Sequence, residues 1–185
     1  MKVEIMDTTL RDGEQCLGVS FSGIEKLNVS KLLLKEIGVD RIEVGSARVS
    51  KGEFVGLKKV MNWAKSSGFE NRVEILGFVD GKKSVDWIWS VGGRVINILA
   101  KGSLKHLKVQ LKKNPKEHFR DVKEVIEYAH SKEMDVNVYL EDWSNGMKSS
   151  REYVFDFIDF LETQDVKRIM LPDTLGILNF YETEE

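Results

Sequence analysis

The sequence predicts an α/β fold built from repeated strand–helix units on a parallel sheet. Three observations carry this. Short β-branched runs alternate with longer helix-like stretches along the whole chain. Gly38 and Gly68 stand where the first two helices should end. The 185 residues, 42% hydrophobic, contain only two prolines and no linker or low-complexity stretch that would divide them. One domain over 1–185 follows. Periodicity alone leaves the sheet either open or closed into a barrel. A glycine-rich phosphate loop after the first strand would favour the open dinucleotide-binding form, and the sequence has none.

The strands are expected at 3–6, 41–45, 72–78, 94–99, 135–140 and 167–172. Each is a short run rich in Val and Ile, or apolar and polar by turns. Helical patterns lie between them at 23–36, 52–66, 84–90, 119–132 and 150–163. In the first, Ile24, Leu27, Val29, Leu32, Leu33 and Ile37 recur near helical spacing and Gly38 supplies the cap. The stretch 101–114 is expected to hold an extra short helix, with Asn114-Pro115 as the break before the next. A further helix could begin near Asn179.

Composition excludes several classes. Net charge is −2, which gives no electrostatic case for nucleic acid or an anionic membrane. No apolar run approaches the roughly 20 residues of a membrane span. Cys16 is the only cysteine, so there is no internal disulfide framework. The N-terminus runs directly into strand, which leaves no signal peptide. A cytoplasmic protein is expected.

The most informative stretch is Asp7-Thr8-Thr9-Leu10-Arg11-Asp12-Gly13-Glu14-Gln15, which follows the first strand. It sets a cation and a metal-binding carboxylate side by side at a strand tip, and Gly13 permits the turn. These residues resemble the N-terminal signature of the Claisen-condensing synthases: isopropylmalate, homocitrate and citramalate synthases, with relatives among metal-dependent acyl-CoA lyases. The segments 18–22, 46–53, 75–81, 139–146 and 171–176 are most similar to citramalate synthases of the spirochaete type. The resemblance implies a TIM (β/α)8 barrel. Eight units need roughly 250 residues, so this chain would be an incomplete barrel of about six βα units, with the last two strands absent.

In a barrel, alternate strand residues face the helices and the interior. Taking Ile42, Val44, Val73, Ile75, Ile96, Ile98, Val136, Val138, Leu140, Ile169 and Leu171 as helix-facing turns Glu43, Gly45, Glu74, Leu76, Phe78, Asn97, Leu99, Asn137, Tyr139, Glu141, Met170 and Pro172 inward. TIM-barrel chemistry sits at the C-terminal strand ends. That singles out Glu43, Leu76, Leu99, Tyr139 and Glu141, joined by Arg11, Asp12 and Thr174 from the loops beyond. Glu43 and Glu141 are either functional carboxylates or buried partners of Arg11 or Arg48. Leu76 and Leu99 are either pocket or plain core.

The resemblance implies roles for these residues. Asp12 matches a metal-binding aspartate, for Mg²⁺, Mn²⁺ or Zn²⁺. Arg11 matches the arginine that stabilises the oxyanion formed when a keto carbonyl is attacked. Glu141 matches a glutamate in acid/base work or in holding Arg11, and Thr174 a threonine that binds the substrate carboxylate. Leu76, Leu99 and Tyr139, at similar heights, would line a pocket sized for a methyl group. Glu43 is an acid/base or structural candidate. The implied reaction condenses acetyl-CoA with pyruvate to (R)-citramalate and CoA, at the start of a route to isoleucine. The alternatives are the same chemistry on 2-oxoisovalerate or 2-oxoglutarate, or a non-catalytic barrel fragment. A homodimer is expected. The family's further metal ligands, two histidines in a His-x-His motif, are not in the sequence, and Asp12 alone cannot hold a catalytic metal tightly. His106, His118 and His130 are expected at the surface. Trp143 is expected to cap the site or pack on a cosubstrate-facing loop, while Trp63, Trp87 and Trp89 pack helices.

Overall fold

The structure, a computed structural model, describes residues 3–185. Its strands are β1 (Met6–Asp7), β2 (Arg41–Ser46), β3 (Val73–Phe78), β4 (Val95–Lys101), β5 (Asp135–Glu141) and β6 (Arg168–Met170). They form one sheet in sequential order, and every neighbouring pair is parallel. A helical crossover joins each strand to the next. The result is six strands of a TIM barrel, curled into a half-barrel with helices outside.

The helices are α1 (Gly23–Lys31), α2 (Lys51–Ser66), α3 (Lys83–Ser90), α4 (Leu104–His106), α5 (Pro115–Ser131), α6 (Trp143–Ser149), α7 (Arg151–Glu162) and α8 (Phe180–Glu184). Local chemistry explains their starts. Ser22 and Glu25 form a capping box on α1, and Asn179 and Glu182 one on α8. Alpha5 begins four residues before its predicted start. Asn114 caps it in a box with Glu117, and Pro115 occupies its first turn, so the predicted break is the initiation signal. Alpha1 and α4 each run on into a wider π turn, over Leu32–Ile37 and Leu107–Leu111. Alpha6 was not expected from the sequence.

The nine positions Ile42, Val44, Val73, Ile75, Ile96, Ile98, Val136, Val138 and Leu140 are all 0% exposed. They form one core with the inner faces of the helices, and each contributes about 1.5–3 kcal/mol of burial. Burial fades at β6, where Leu171 is 44% exposed. Two strand expectations need correction. Beta1 pairs only at Met6 and Asp7, and Val3 and Ile5 remain exposed. Gly45 faces α2 instead of the interior. The register slips between Glu43 and Ser46, and a Cβ on Gly45 would lie 2.0 Å from Glu53 Oε1 and 3.2 Å from Leu57 Cδ1. The bulge inserts one residue and reverses the alternation beyond it.

The half-barrel curls far enough for its edges to meet at the N-terminal end. Arg168 on β6 lies 2.7 Å from Glu4, which also faces Arg41, and Arg41 reaches the interior carboxylate Glu74 at 2.8 Å. At the opposite end α6 lies tight on the tip of β4. A Cβ on Gly146 would stand 2.1 Å from Gly102 O and 2.9 Å from Val154 Cγ2. Gly146→Ala is therefore expected to destabilise the fold near the upper end of the roughly 1–3 kcal/mol range for overpacking. The measurement is a lowered urea midpoint with an unchanged slope.

Candidate active site

Arg11 sits where β1 leaves the sheet. The amides of Arg11, Asp12 and Gly13 all converge on Thr8 O, at 3.1, 2.8 and 3.2 Å, which winds the loop into a tight turn. Asp7 accepts from the Thr9 amide at 2.9 Å and steadies its start. The Arg11 side chain turns over the barrel mouth and is largely buried. It forms an ion pair with Glu43, its Nη1 lies 2.6 Å from Asp12 Oδ1, and its guanidinium carbon lies 5.7 Å from the Tyr139 ring centre. Burial works against its charge, but Glu43 and then Asp12 outweigh that and hold its pKa above the ordinary value.

Glu43 is the inner partner and is 0% exposed. Burial raises its pKa, against the opposing pull of Arg11 and Asn97. Asn97 donates to Glu43 Oε1 at 2.7 Å, and Asn137 donates to Asn97 Oδ1 at 2.9 Å. A polar relay thus crosses the interior from β1 to β5. Asn137 Oδ1 has no hydrogen-bond partner among the described residues. Of the two partners considered for Glu43, Arg11 is the one used, since Arg48 pairs with Asp80 at 2.5 Å.

Glu141 stands at the tip of β5 in register with Lys101 on β4, and the two side chains form an ion pair. This corrects the expectation that Glu141 holds Arg11. Lys101 is itself locked at both backbone groups. Its amide donates to His118 Nε2 at 3.2 Å and its carbonyl accepts from the Tyr153 hydroxyl at 2.7 Å. His118 is therefore not a surface residue but lies 1% exposed among the aromatic rings of α5 and α7. Its Nε2 must stay unprotonated to accept that bond. Burial lowers its pKa from 6.5 to about 4. The unfolded chain takes up this proton first, so the His118 contribution is complete above pH 6.5 and lost as pH falls toward 4. The loss amounts to about 3 kcal/mol. Urea unfolding at pH 7 and pH 4.5 is expected to show a smaller acid destabilisation in His118→Gln than in the wild type. Equal losses in both would remove His118 as the cause.

Thr174 Oγ1 accepts from the Asp142 amide at 2.9 Å, so its hydroxyl ties the loop after β6 to that after β5. Asp142 adopts a left-handed backbone at φ 64° and is fixed by Ser103 at 2.7 Å and Asn145 at 2.8 Å. Asp12 is more than half exposed, with Arg11 beside it. Among the described residues no group of three or more His, Cys, Asp or Glu side chains is placed to hold a metal ion. Asp12 offers one carboxylate, while Glu43 and Glu141 are taken up by cations. These residues do not by themselves fit a divalent metal, which needs about four to six ligands.

The register sets Phe78, Leu99, Tyr139 and Met170 in one row across the sheet, with Leu76, Asn97 and Asn137 in the row beneath. Leu76 is thus one layer below Leu99 and Tyr139, not level with them, and is 3% exposed. Beside Arg11 a cleft of about 510 Å³ opens between the starts of α1 and α2, lined by Glu14, Phe21, Ser46, Val49 and Gly52.

Comparison with known proteins now adds to the geometry. The HMGL-like family model matches residues 2–185. The chain belongs to the HMGL-like family. Among curated proteins, the 2-isopropylmalate synthase of Sulfolobus acidocaldarius is 34% identical, over 98% of this chain and 46% of that protein. The (R)-citramalate synthase of Methanocaldococcus jannaschii is 32% identical, over 100% of this chain and 36% of that protein. The HMGL-like chain therefore spans less than half the length of these relatives. The crystal structure of the HMG-CoA lyase from Brucella melitensis superposes with a TM-score of 0.72 at 18% identity, over 96% of this chain and 63% of that one. That likeness shows a shared fold.

The HMGL-like half-barrel brings Arg11, Asp12, Glu43 and Tyr139 together and sets Leu99 beside Tyr139. Glu141 and Thr174 border the mouth on the β5 and β6 side. Sequence reading missed Lys101, Asn97 and His118 as supports. The cross-strand position of Lys101 opposite Glu141 would have revealed the first, had the register been known. Trp143 packs against the outer core instead of capping the site, as do Trp63 and Trp87, while Trp89 is 47% exposed under Lys132. Cys16 is an exposed free thiol in the loop after Arg11.

Proposed function

We propose that residues 1–185 are the N-terminal part of a TIM-barrel catalytic domain in an acyltransferase that condenses acetyl-CoA with a 2-oxo acid. We further propose pyruvate as the acceptor, which makes the enzyme a citramalate synthase of the spirochaete type. The observation that carries this is the fixed guanidinium of Arg11 at the barrel mouth, braced by Glu43 and set beside Tyr139. Relatives named as 2-isopropylmalate and (R)-citramalate synthases support the same chemistry. The cleft beside Arg11 lies within the size range of small-molecule sites.

In the proposed reaction a proton leaves the acetyl methyl group and the resulting carbanion attacks the keto carbon. The carbon–carbon bond forms, and the keto oxygen takes the displaced electron pair and then a proton. Water hydrolyses the thioester and CoA leaves as the thiol. Arg11 stabilises the oxyanion. Glu141, paired with Lys101, holds and moves the proton. Thr174 binds the carboxylate of the acid, and Leu99 and Tyr139 bound its side chain, with Leu76 beneath. Asp12 would contribute one carboxylate to a divalent metal, whose remaining ligands would have to come from outside these residues.

Strands β1 and β6 are the edges of the sheet, and Leu171, Leu175 and Phe180, which follow β6, are exposed. Such edges favour association, and a homodimer is part of the proposal. So is a cytoplasmic setting. No helix of the described residues is long and apolar enough to cross a membrane.

The test is acetyl-CoA-dependent thiol release across a panel of 2-oxo acids, with the full-length protein and with residues 1–185. The full-length protein is expected to be fastest with pyruvate, and 1–185 alone to bind metal weakly and turn over little. Preference for 2-oxoisovalerate would move the assignment to isopropylmalate synthesis, the reading favoured by the Sulfolobus relative. Thiol release independent of any 2-oxo acid would remove the condensation.

A further inference from the structure

Among the largest side chains sealed inside the described residues is a lysine. Lys26, on α1, is 1% exposed. Its ammonium has four acceptors: Leu10 O at 3.1 Å, Val44 O at 3.0 Å, Glu53 Oε1 at 2.8 Å and Glu14 Oε2 at 2.8 Å. A methionine would bury this helix face without desolvating a charge, and apolar replacement of buried ionic groups is often neutral for stability. The lysine's contribution is therefore to be sought in geometry.

Its two backbone acceptors are informative. Leu10 directly precedes Arg11, and Val44 directly follows Glu43. Beta1 and β2 are paired only at Met6–Arg41 and Asp7–Ile42. Beyond those pairs the tips that carry Arg11 and Glu43 are not laddered to each other. Val44 also sits inside the β2 bulge, where register is lost. Lys26 bridges the two tips at that point.

The surroundings are shaped to let it reach. Alpha1 approaches α2 so closely that a Cβ on Gly23 would stand 2.6 Å from Gly56 Cα. Glu53 is oriented in the first turn of α2, where its amide is capped by Ser50 at 3.0 Å. Glu14 grips the ammonium with one oxygen and accepts from the Phe21 amide with the other at 2.8 Å, which closes the loop after Arg11.

We propose that Lys26 is a positioning residue that fixes the Arg11 guanidinium relative to Glu43 by tying the Leu10 and Val44 carbonyls together. Sealed from solvent, it touches no substrate. Its effect on turnover rests on the role proposed for Arg11. Its effect on geometry does not.

The experiment uses the full-length protein and reads two quantities in Lys26→Met. One is the solvent-exchange rate of the Arg11 Nε–H, followed by NMR on ¹⁵N-labelled protein without substrate. The other is kcat and KM in the thiol-release assay. Exchange is expected to accelerate at least about 10-fold, and kcat to fall by about 10- to 100-fold with KM for the 2-oxo acid little changed, as misplacement of a catalytic group predicts. Ile126→Ala, a core truncation on α5 far from the clamp, controls for general loss of stability. It is expected to leave Arg11 exchange as in the wild type. If Lys26→Met does not fold, Glu14→Ala decides, because it removes one grip on the ammonium at a partly exposed site. Arg11 Nε–H exchange unchanged in the folded variants, or accelerated equally by Ile126→Ala, overturns the proposal. A wild type that releases no CoA with any 2-oxo acid sinks the reaction instead, and the exchange comparison still decides the clamp.

Discussion

Arg11→Ala is expected to lower turnover by about 10²- to 10³-fold while leaving the fold intact. A donor aimed at a developing oxyanion in a water-poor site contributes about 3 to 4 kcal/mol to the transition state. The charge on the keto oxygen exists only as the new bond forms, so kcat should fall further than the 2-oxo acid KM rises. The fold should survive because the partner left behind is a carboxyl. Glu43 is 0% exposed and its pKa is already raised by burial. Without Arg11 it takes up a proton and stays hydrogen-bonded to Asn97. Arg11→Lys should rescue little. Arg11 engages Glu43 through Nε and Asp12 through Nη1 at the same time, and one ammonium on a flexible stem cannot reproduce that planar fork. Steady-state kinetics with circular dichroism as the fold check give the answer. A variant that keeps most of its activity removes Arg11 from the chemistry.

The outer half of the molecule was legible because it obeys a simple period. Nine of the eleven strand positions chosen from alternation are 0% exposed, and only Ile169 and Leu171, at the β6 edge, are not buried. Glu43 followed from the same rule, since an acidic residue between two buried aliphatics on β2 has only the interior left to face. The interior details were not legible, for a common reason. Each depends on a partner distant in sequence. The bulge at Gly45 exists only in the pairing of β2 with β3. His118 is buried, and its Nε2 accepts from the Lys101 amide, a partner 17 residues away. Lys26 reads in sequence as an ordinary charged helix position, because its four acceptors come from three separate segments, the loop after β1, β2 and α2. The ion pair of Lys101 with Glu141 likewise needs the β4–β5 register, which no local pattern encodes.

Substrate choice is expected to turn on Tyr139. Register places its side chain beside Leu99, and its ring lies 5.7 Å from the Arg11 guanidinium. A 2-oxo acid with its keto oxygen at Arg11 therefore directs its side chain toward this ring. On the proposed reading, the space beside the ring is sized for a methyl group, and the phenol excludes an isopropyl group. Nothing in the Leu76, Leu99 and Tyr139 set can pair with the distal carboxylate of 2-oxoglutarate, and Arg11 is already engaged by Glu43 and Asp12. An unpaired charge there would be strongly disfavoured. Pyruvate should lead, with 2-oxobutyrate second, since one methylene changes discrimination by roughly 1 to 3 kcal/mol. Tyr139→Ala or Tyr139→Ser should raise kcat/KM for 2-oxobutyrate and 2-oxoisovalerate relative to pyruvate. Loss of the ring beside Arg11 will also lower absolute rates, so the ratio is the quantity to measure. A ratio that does not move, or a wild type already fastest with 2-oxoisovalerate, would take Tyr139 out of the pocket and make the longer acid the substrate.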